Sequence, residues 1–296
     1  GPLSATGLRT LFPLMVPRRL WERVNAIDAN GYVVAAIIGP PLAAGGVTVL
    51  GGPASIILIG LTYGVGAVIL VSVPEPAHAT ASTGRVLRDA RDGLLYTWRN
   101  PTLRALGFSI STVNIAGGMV AIVVPLLVLE RFHLGEATVG FVFAIQGVVG
   151  MVVGLLAGRI DTRGRERRMI AVPMLLMTPV YLCFLPVAGF TVMVAAMALL
   201  GILNGPMDVA MFTMRQRRTD PAWMGRAFAV SMSFNFAGWP IGSAIAGWLA
   251  SSSIEAAVLL GVAASLAAAV ISFRMIPAHD PIGDAGGSTA VLEPAT

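Results

Sequence analysis

An all-α membrane protein with about eight complete transmembrane helices is the fold class that this sequence predicts, and three observations predict it. Of 296 residues, 56% are hydrophobic and 12% are charged, with a mean hydropathy of +0.80, which is more apolar surface than one water-soluble core can hide. The apolar residues fall in runs of the length a helix needs to cross ~30 Å of hydrocarbon, about 20 residues. The connections between those runs alternate, every second one being rich in arginine. Barrel strands are excluded by periodicity: they alternate apolar and polar residues over about ten positions, whereas residues 148–157 read Val-Val-Gly-Met-Val-Val-Gly-Leu-Leu-Ala. The 34 glycines and 19 prolines fit membrane helices, where neighbouring helices restore the backbone hydrogen bonds that such residues disturb.

In chain order, residues 1–16 read as the inner end of a span whose start precedes Gly1, and complete spans follow at 31–50 and 53–73. Residues 74–103 form the one long polar interruption. It opens on Pro74, Glu75 and Pro76, then becomes an amphipathic helix over 84–99, in which Val86, Leu87, Ala90, Leu94, Leu95 and Trp98 recur near helical spacing. A helix lying on the membrane surface is the simplest account of it. Further spans are expected at 105–129, 137–158, 169–189, 191–214, 227–250 and 256–273. Residues 277–296, with Pro277, Pro281, Gly286, Gly287 and Ser288, read as a disordered tail.

The formal charge of +5 has its explanation in placement. Arg18, Arg19 and Arg23 precede the first complete span; Arg85, Arg88, Arg91, Arg99 and Arg104 fill or border 74–104; Arg159, Arg163, Arg165, Arg167 and Arg168 follow the span ending at 158. Arg215, Arg217, Arg218 and Arg226 come next, and Arg274 follows the last span. The alternate connections (51–52, 130–136, 189–190, 251–255) hold only Arg131. The positive-inside rule therefore puts the basic set and the C-terminus in the cytoplasm of a plasma (inner) membrane protein, with the lipid bilayer as partner and no call for nucleic acid. Nothing resembles an enzyme: there is no lysine for a phosphate-binding loop, and His78, His133 and His279 are scattered through loops. The single Cys183 lies within a span. No catalytic residue, cofactor or metal is expected.

The chain also repeats its layout at an offset of about 204 residues. Gly1-Pro2, Pro17, Arg23 and the apolar segment broken at Gly39-Pro40 are echoed by Gly205-Pro206, Pro221, Arg226 and a segment carrying Gly238, Pro240 and Gly242. A unit of six spans re-enters the membrane in the same sense, which is the parallel repeat of twelve-span secondary transporters. With the linker between the halves and the arginine-rich loops, the layout resembles the major facilitator superfamily, and the phrase Met15-Val16-Pro17-Arg18-Arg19-Leu20 with Arg23, Asn25 and Ala26 resembles its drug and siderophore exporters. On that resemblance residues 1–73 are the remainder of an N-terminal half (end of helix four, helices five and six), 74–103 a cytoplasmic linker, 104–276 the C-terminal six-helix half and 277–296 a cytoplasmic tail. The fold expected is then the superfamily's, N-terminally truncated by three helices and most of a fourth.

The resemblance also implies sites. Asp161, Gly164 and Arg165 match the loop signature that latches the halves together on the cytoplasmic side. Gly39 and Pro40 resemble the glycine-proline pattern of helix five in proton-coupled exporters, although Ala43 and Ala44 stand where a glycine pair is expected; a plain packing face of small residues explains the same letters. Asp208, about 10 Å above the cytoplasmic end at 1.5 Å per residue, is a candidate proton carrier, and Arg9 lies at similar depth. The bland alternatives are a structural hydrogen bond for Asp208 and snorkelling for Arg9. Asn114 and Asn204 are the better candidates for the substrate cavity, ahead of Gln146 and Asn235. Met174, Met177, Met193, Met197 and Met207 read as lipid-facing or packing residues. The function implied is proton-coupled efflux of small hydrophobic or amphiphilic molecules by alternating access; facilitated or proton-coupled uptake, and a non-transporting truncated membrane protein, are the alternatives.

Overall fold

A computed structural model describes residues 12–13, 15–71 and 86–278, with the backbone alone described at Pro40 and several of its neighbours and at residues 86–87. Among these residues there are nine α-helices and no strand: α1 Trp21–Leu50, α2 Gly52–Val71, α3 Val86–Arg99, α4 Pro101–Leu126, α5 Glu136–Ala157, α6 Glu166–Tyr181, α7 Phe190–Arg217, α8 Met224–Ala250 and α9 Ile254–Met275. Their ends follow local chemistry. Asn100 starts α4, its Oδ1 accepting from the backbone N–H of Thr102 and Leu103 at 3.0 and 3.1 Å with Pro101 at the first position. Ser253 caps α9 through Ala256 N–H at 3.1 Å. Gly51, at φ +79°, turns the chain from α1 into α2.

Among the described residues, six helical stretches are long and apolar enough to cross a membrane: Gly52–Val71, Pro101–Arg131, Glu136–Ala157, Glu166–Phe184, Phe190–Arg217 and Ile254–Met275. The spans expected at 31–50 and 227–250 are helical but fall outside that set. The first begins earlier than expected, at Trp21, and its lower turns carry Glu22, Arg23, Asn25, Asp28 and Asn30. The second carries Ser231, Ser233, Asn235 and Ser243 among glycines and takes its cover from neighbouring helices. The layout repeat is visible in backbone form: α1 and α8 each start directly after a 3₁₀ turn, Arg18–Leu20 and Pro221–Trp223, at the same offset that relates Arg23 to Arg226.

The core lies within α4 to α9, where α4 packs against α8 and α9, α5 against α7, and α6 against α7 and α9. Two of these pairs are seamed by glycine. A Cβ on Gly118 would overlap the Trp239 carbonyl, one on Gly238 the Ser111 carbonyl and one on Gly242 the Ile115 carbonyl, so α4 and α8 touch backbone to backbone. In the α5–α7 pair, a Cβ on Gly205 would lie 2.7 Å from Gly154 N and one on Gly201 2.5 Å from the Gln146 carbonyl. All five methionines named above are buried rather than lipid-facing, and two of them, Met177 and Met207, also line a cavity between the helices. By contrast α2 buries only Ser55.

The helix expected over 84–99 is α3, and one of its faces docks on the bundle. Asp89 pairs with Arg226 at 3.2 Å, Gly93 lies against the Arg226 backbone, and the Tyr96 ring stacks on Trp223 at 5.0 Å and 8°. Tyr96 Oη also accepts from Asp220 N–H at 3.0 Å. Leu94, Leu95 and Trp98 stay exposed on the other face with Arg91, the pattern of an interfacial helix. An aromatic stack contributes about 0.5–1.5 kcal/mol beyond its area. Tyr96→Ala is therefore expected to lower amide-exchange protection across Val86–Arg99 by about tenfold; unchanged protection would show that the stack does not hold the helix.

Candidate functional site

Three helix ends meet at the basic end of the bundle, and each carries the charge its end favours. Glu22 lies in the first turn of α1, Glu166 in the first turn of α6 and Arg217 in the last turn of α7. The Arg217 guanidinium binds all of them: Nη1 donates to Glu166 Oε1 at 2.6 Å and to Thr162 Oγ1 at 2.9 Å, and Nη2 donates to Glu22 Oε1. Glu22 Oε1 accepts in addition from Thr162 N–H at 3.3 Å and Thr162 Oγ1 at 3.1 Å. The side chains are 13% (Arg217), 6% (Glu22) and 5% (Glu166) exposed, so the cluster is largely shielded from water. Buried charges of this kind persist because each is matched and hydrogen-bonded.

The seal continues upward from α1. Asn25 Nδ2 donates to Gln216 Oε1 at 2.6 Å and Gln216 Nε2 returns a bond to Asn25 Oδ1 at 3.1 Å, while Nδ2 also reaches Thr213 Oγ1 at 3.3 Å. Ala26 presses on Gly158, where an added Cβ would lie 2.5 Å from its own, and Asn30 lies beside Gly154. Glu22, Asn25, Ala26 and Asn30 share one helical face, about 12 Å long at 1.5 Å per residue. Above them Val34, Ile38 and Leu42 are exposed. Thus α1 is joined to α5 and α7 over its first turns, near the basic end.

At mid-depth, α4 to α8 enclose a cavity of about 200 Å³. Its polar lining is Asn114, Gln146, Tyr181 and Asn204, set among Phe143, Met177, Met207 and Trp239. The arrangement offers a few hydrogen-bonding groups in an apolar wall, which suits an apolar or amphiphilic molecule.

The sequence-derived candidates divide between these two places. Asn114 and Asn204 come together in the cavity, where Asn114 Nδ2 also ties α4 to the Asn235 carbonyl of α8 at 2.7 Å. Asp208 is half-buried one turn along α7 from Asn204 and is not without a partner. Asp161 is 3.6 Å from Arg217 but 67% exposed, and its Oδ1 accepts from Arg163 N–H at 3.0 Å. Gly164 holds φ +70°, the left-handed turn that lets the chain enter α6. Arg165 precedes α6 and is exposed. Gly39 lies on α1 with nothing within 4 Å of an added Cβ; the side chain of Pro40 and all of Arg9 lie outside the described residues.

Sequence reasoning missed Glu22, Thr162, Glu166 and Arg217. Part of their signal was present: Glu22 and Glu166 are acids within otherwise basic connections, an anomaly that the positive-inside pattern does not explain. Arg215 was counted among the loop charges but is fully buried, its guanidinium 5.8 Å from the Phe212 ring and 5.6 Å from the Phe228 ring, with Nη1 2.9 Å from Met232 Sδ.

The family model of the Major Facilitator Superfamily matches residues 1–171 and 106–292. The MFS-type transporter y4rN of Sinorhizobium fredii (strain NBRC 101917 / NGR234), itself uncharacterized, is 36% identical over 287 residues, covering 95% of this chain and 70% of that protein. The multidrug efflux pump Tap of Mycobacterium tuberculosis is 25% identical over 277 residues, covering 89% of this chain and 64% of the pump. A bacterial homologue of the iron transporter ferroportin, crystallised in an outward-facing state, superposes with a TM-score of 0.67 over 93% of this chain and 69% of its own, at 15% identity, and shares the fold. Matching across nearly its whole length, with apolar spans and a helical bundle to go with it, this chain belongs to the major facilitator superfamily of multi-pass membrane transporters.

Proposed function

We propose that the chain serves proton-coupled efflux of small hydrophobic or amphiphilic molecules across the plasma membrane, by alternating access between a half containing residues 1–73 and a half formed by 104–276. The observation that carries this reading is the Glu22–Arg217–Glu166 cluster, which joins α1 to the second half at the basic end, while Val34, Ile38 and Leu42 farther along α1 are exposed. With arginines marking the cytoplasm and the C-terminus on that side, the cluster is a closed cytoplasmic gate, and opening it requires breaking those ion pairs. The mid-depth cavity supplies one wall of the substrate site, with Asn114, Asn204 and Gln146 as its polar contacts. The likeness to a multidrug efflux pump supports outward transport. Asp208, one turn from Asn204, is the proton carrier in this scheme and Arg9 a partner for an anionic group.

Everted vesicles loaded by an imposed proton gradient, with an amphiphilic fluorescent dye as cargo, test the coupling. Asp208→Asn is expected to reduce gradient-driven accumulation at least about a hundredfold, the scale on which losing a proton-transfer group acts. Accumulation that survives the substitution removes Asp208 from the mechanism, and flux indifferent to collapse of the gradient replaces efflux with facilitated passage.

A further inference from the structure

We propose that the cleft beside the Glu22–Arg217 pair is a binding site for a phosphate-bearing anion, which holds α1 against the α5–α6 connection. The cleft measures about 200 Å³. One wall is Arg18, Arg19 and Arg23 at the start of α1, and the other is Arg159 and Arg163 between α5 and α6. At its floor Arg217 is already matched by Glu22 and Glu166. The five wall arginines are exposed, Arg18 resting 5.7 Å from the Trp21 ring centre and Arg163 standing 3.9 Å from an Asp161 oxygen. The cleft thus carries an excess of positive charge on both sides of one seam.

Retention of arginine on one side of the membrane explains their number but not their convergence, since Arg88, Arg91 and Arg99 satisfy the same rule on α3, away from this cleft. Closing the seam sets like charges face to face, which opposes closure. A phosphate group reverses the sign of that contribution, because its oxygens accept paired bonds from guanidinium groups of both walls. Since the walls belong to different segments, such an anion binds the sealed arrangement in preference and stabilises it by mass action. An anionic phospholipid headgroup and a soluble phosphate offer the same chemistry.

Binding is read without cargo or gradient, so this proposal and the transport reading fail separately. The full chain in phosphatidylcholine nanodiscs is titrated with inorganic pyrophosphate, and a parallel preparation has phosphatidylglycerol mixed into the bilayer. Saturation from either source is expected to raise the melting temperature by several degrees; pyrophosphate alone identifies a soluble anion and phosphatidylglycerol alone a lipid, and each supports the site. R19Q/R159Q, which removes one arginine from each wall, should weaken the response at least about tenfold, while R88Q/R99Q, with the same loss of charge on α3, should keep it. R23Q/R163Q serves if the first pair does not fold. No shift from either source, or an equal loss in R88Q/R99Q, overturns the proposal.

Discussion

Arg217→Gln is expected to open the basic end of the bundle and to abolish gated transport. The substitution leaves the Glu22 and Glu166 carboxylates, 6% and 5% exposed, facing each other without the cation that both of them bind. Breaking a buried ion pair by removing one partner costs about 3–5 kcal/mol, because the remaining charge keeps its desolvation penalty. The sealed arrangement bears that cost and an opened one, where water reaches the acids, does not. At 1.4 kcal/mol per decade, even about 3 kcal/mol moves the closed-to-open ratio by more than a hundredfold. The readout is the alkylation rate of Asn30→Cys in a Cys183→Ser background by a membrane-impermeant maleimide added on the basic side. Asn30, two turns along α1 from Glu22, is 8% exposed, so its rate should rise at least about a hundredfold in Arg217→Gln. Glu22→Gln, which keeps the Arg217–Glu166 contact, should give a smaller rise, and the double variant should be less than additive because the two residues share one network. An unaltered rate in Arg217→Gln would falsify the gate.

What the sequence made legible and what it hid differ by the range of the interaction. Apolar run length located eight of the helices to within a few residues at most ends, and helical spacing located α3, because both signals are carried by neighbours in the chain. The start of α1 was set too late, since Glu22, Asn25 and Asn30 look like loop residues until it is known that they face another helix. The cluster itself was invisible for the same reason: Glu22 lies 140 residues from Thr162 and 195 from Arg217, and no local pattern couples them. Arg215 and Arg217 are two residues apart in one basic run, yet one is buried among aromatic rings and sulfur and the other binds two acids. Gly164 was singled out by its resemblance to a loop signature, and what the structure adds is a local role, a left-handed turn before a helix.

Gly242→Ala is expected to destabilise the bundle by about 3–5 kcal/mol, whereas Gly39→Ala, at the aligned position of the repeat, leaves the 296-residue chain as stable as before or slightly more so. The letters are the same and the surroundings opposite. At Gly242 a methyl group would overlap the Ile115 carbonyl and lie 2.6 Å from Ile115 Cα, atoms of the α4 backbone that have no rotamer to retreat into. Relief requires α4 and α8 to move apart. Separation strains the Asn114 Nδ2 bond to the Asn235 carbonyl at 2.7 Å and the Ser243 Oγ bond to the Gly118 carbonyl at 3.2 Å, each worth about 1 kcal/mol. It also loosens packing along a seam where overpacking alone costs about 1–3 kcal/mol. At Gly39 an added Cβ meets nothing within 4 Å, so the remaining effect is the helical preference of alanine over glycine, about 1 kcal/mol in its favour. Thermal unfolding of the two variants in one detergent compares them directly. A large loss at Gly39 would mean that its face is packed in solution, and a tolerated alanine at Gly242 would mean that α4 and α8 do not meet backbone to backbone.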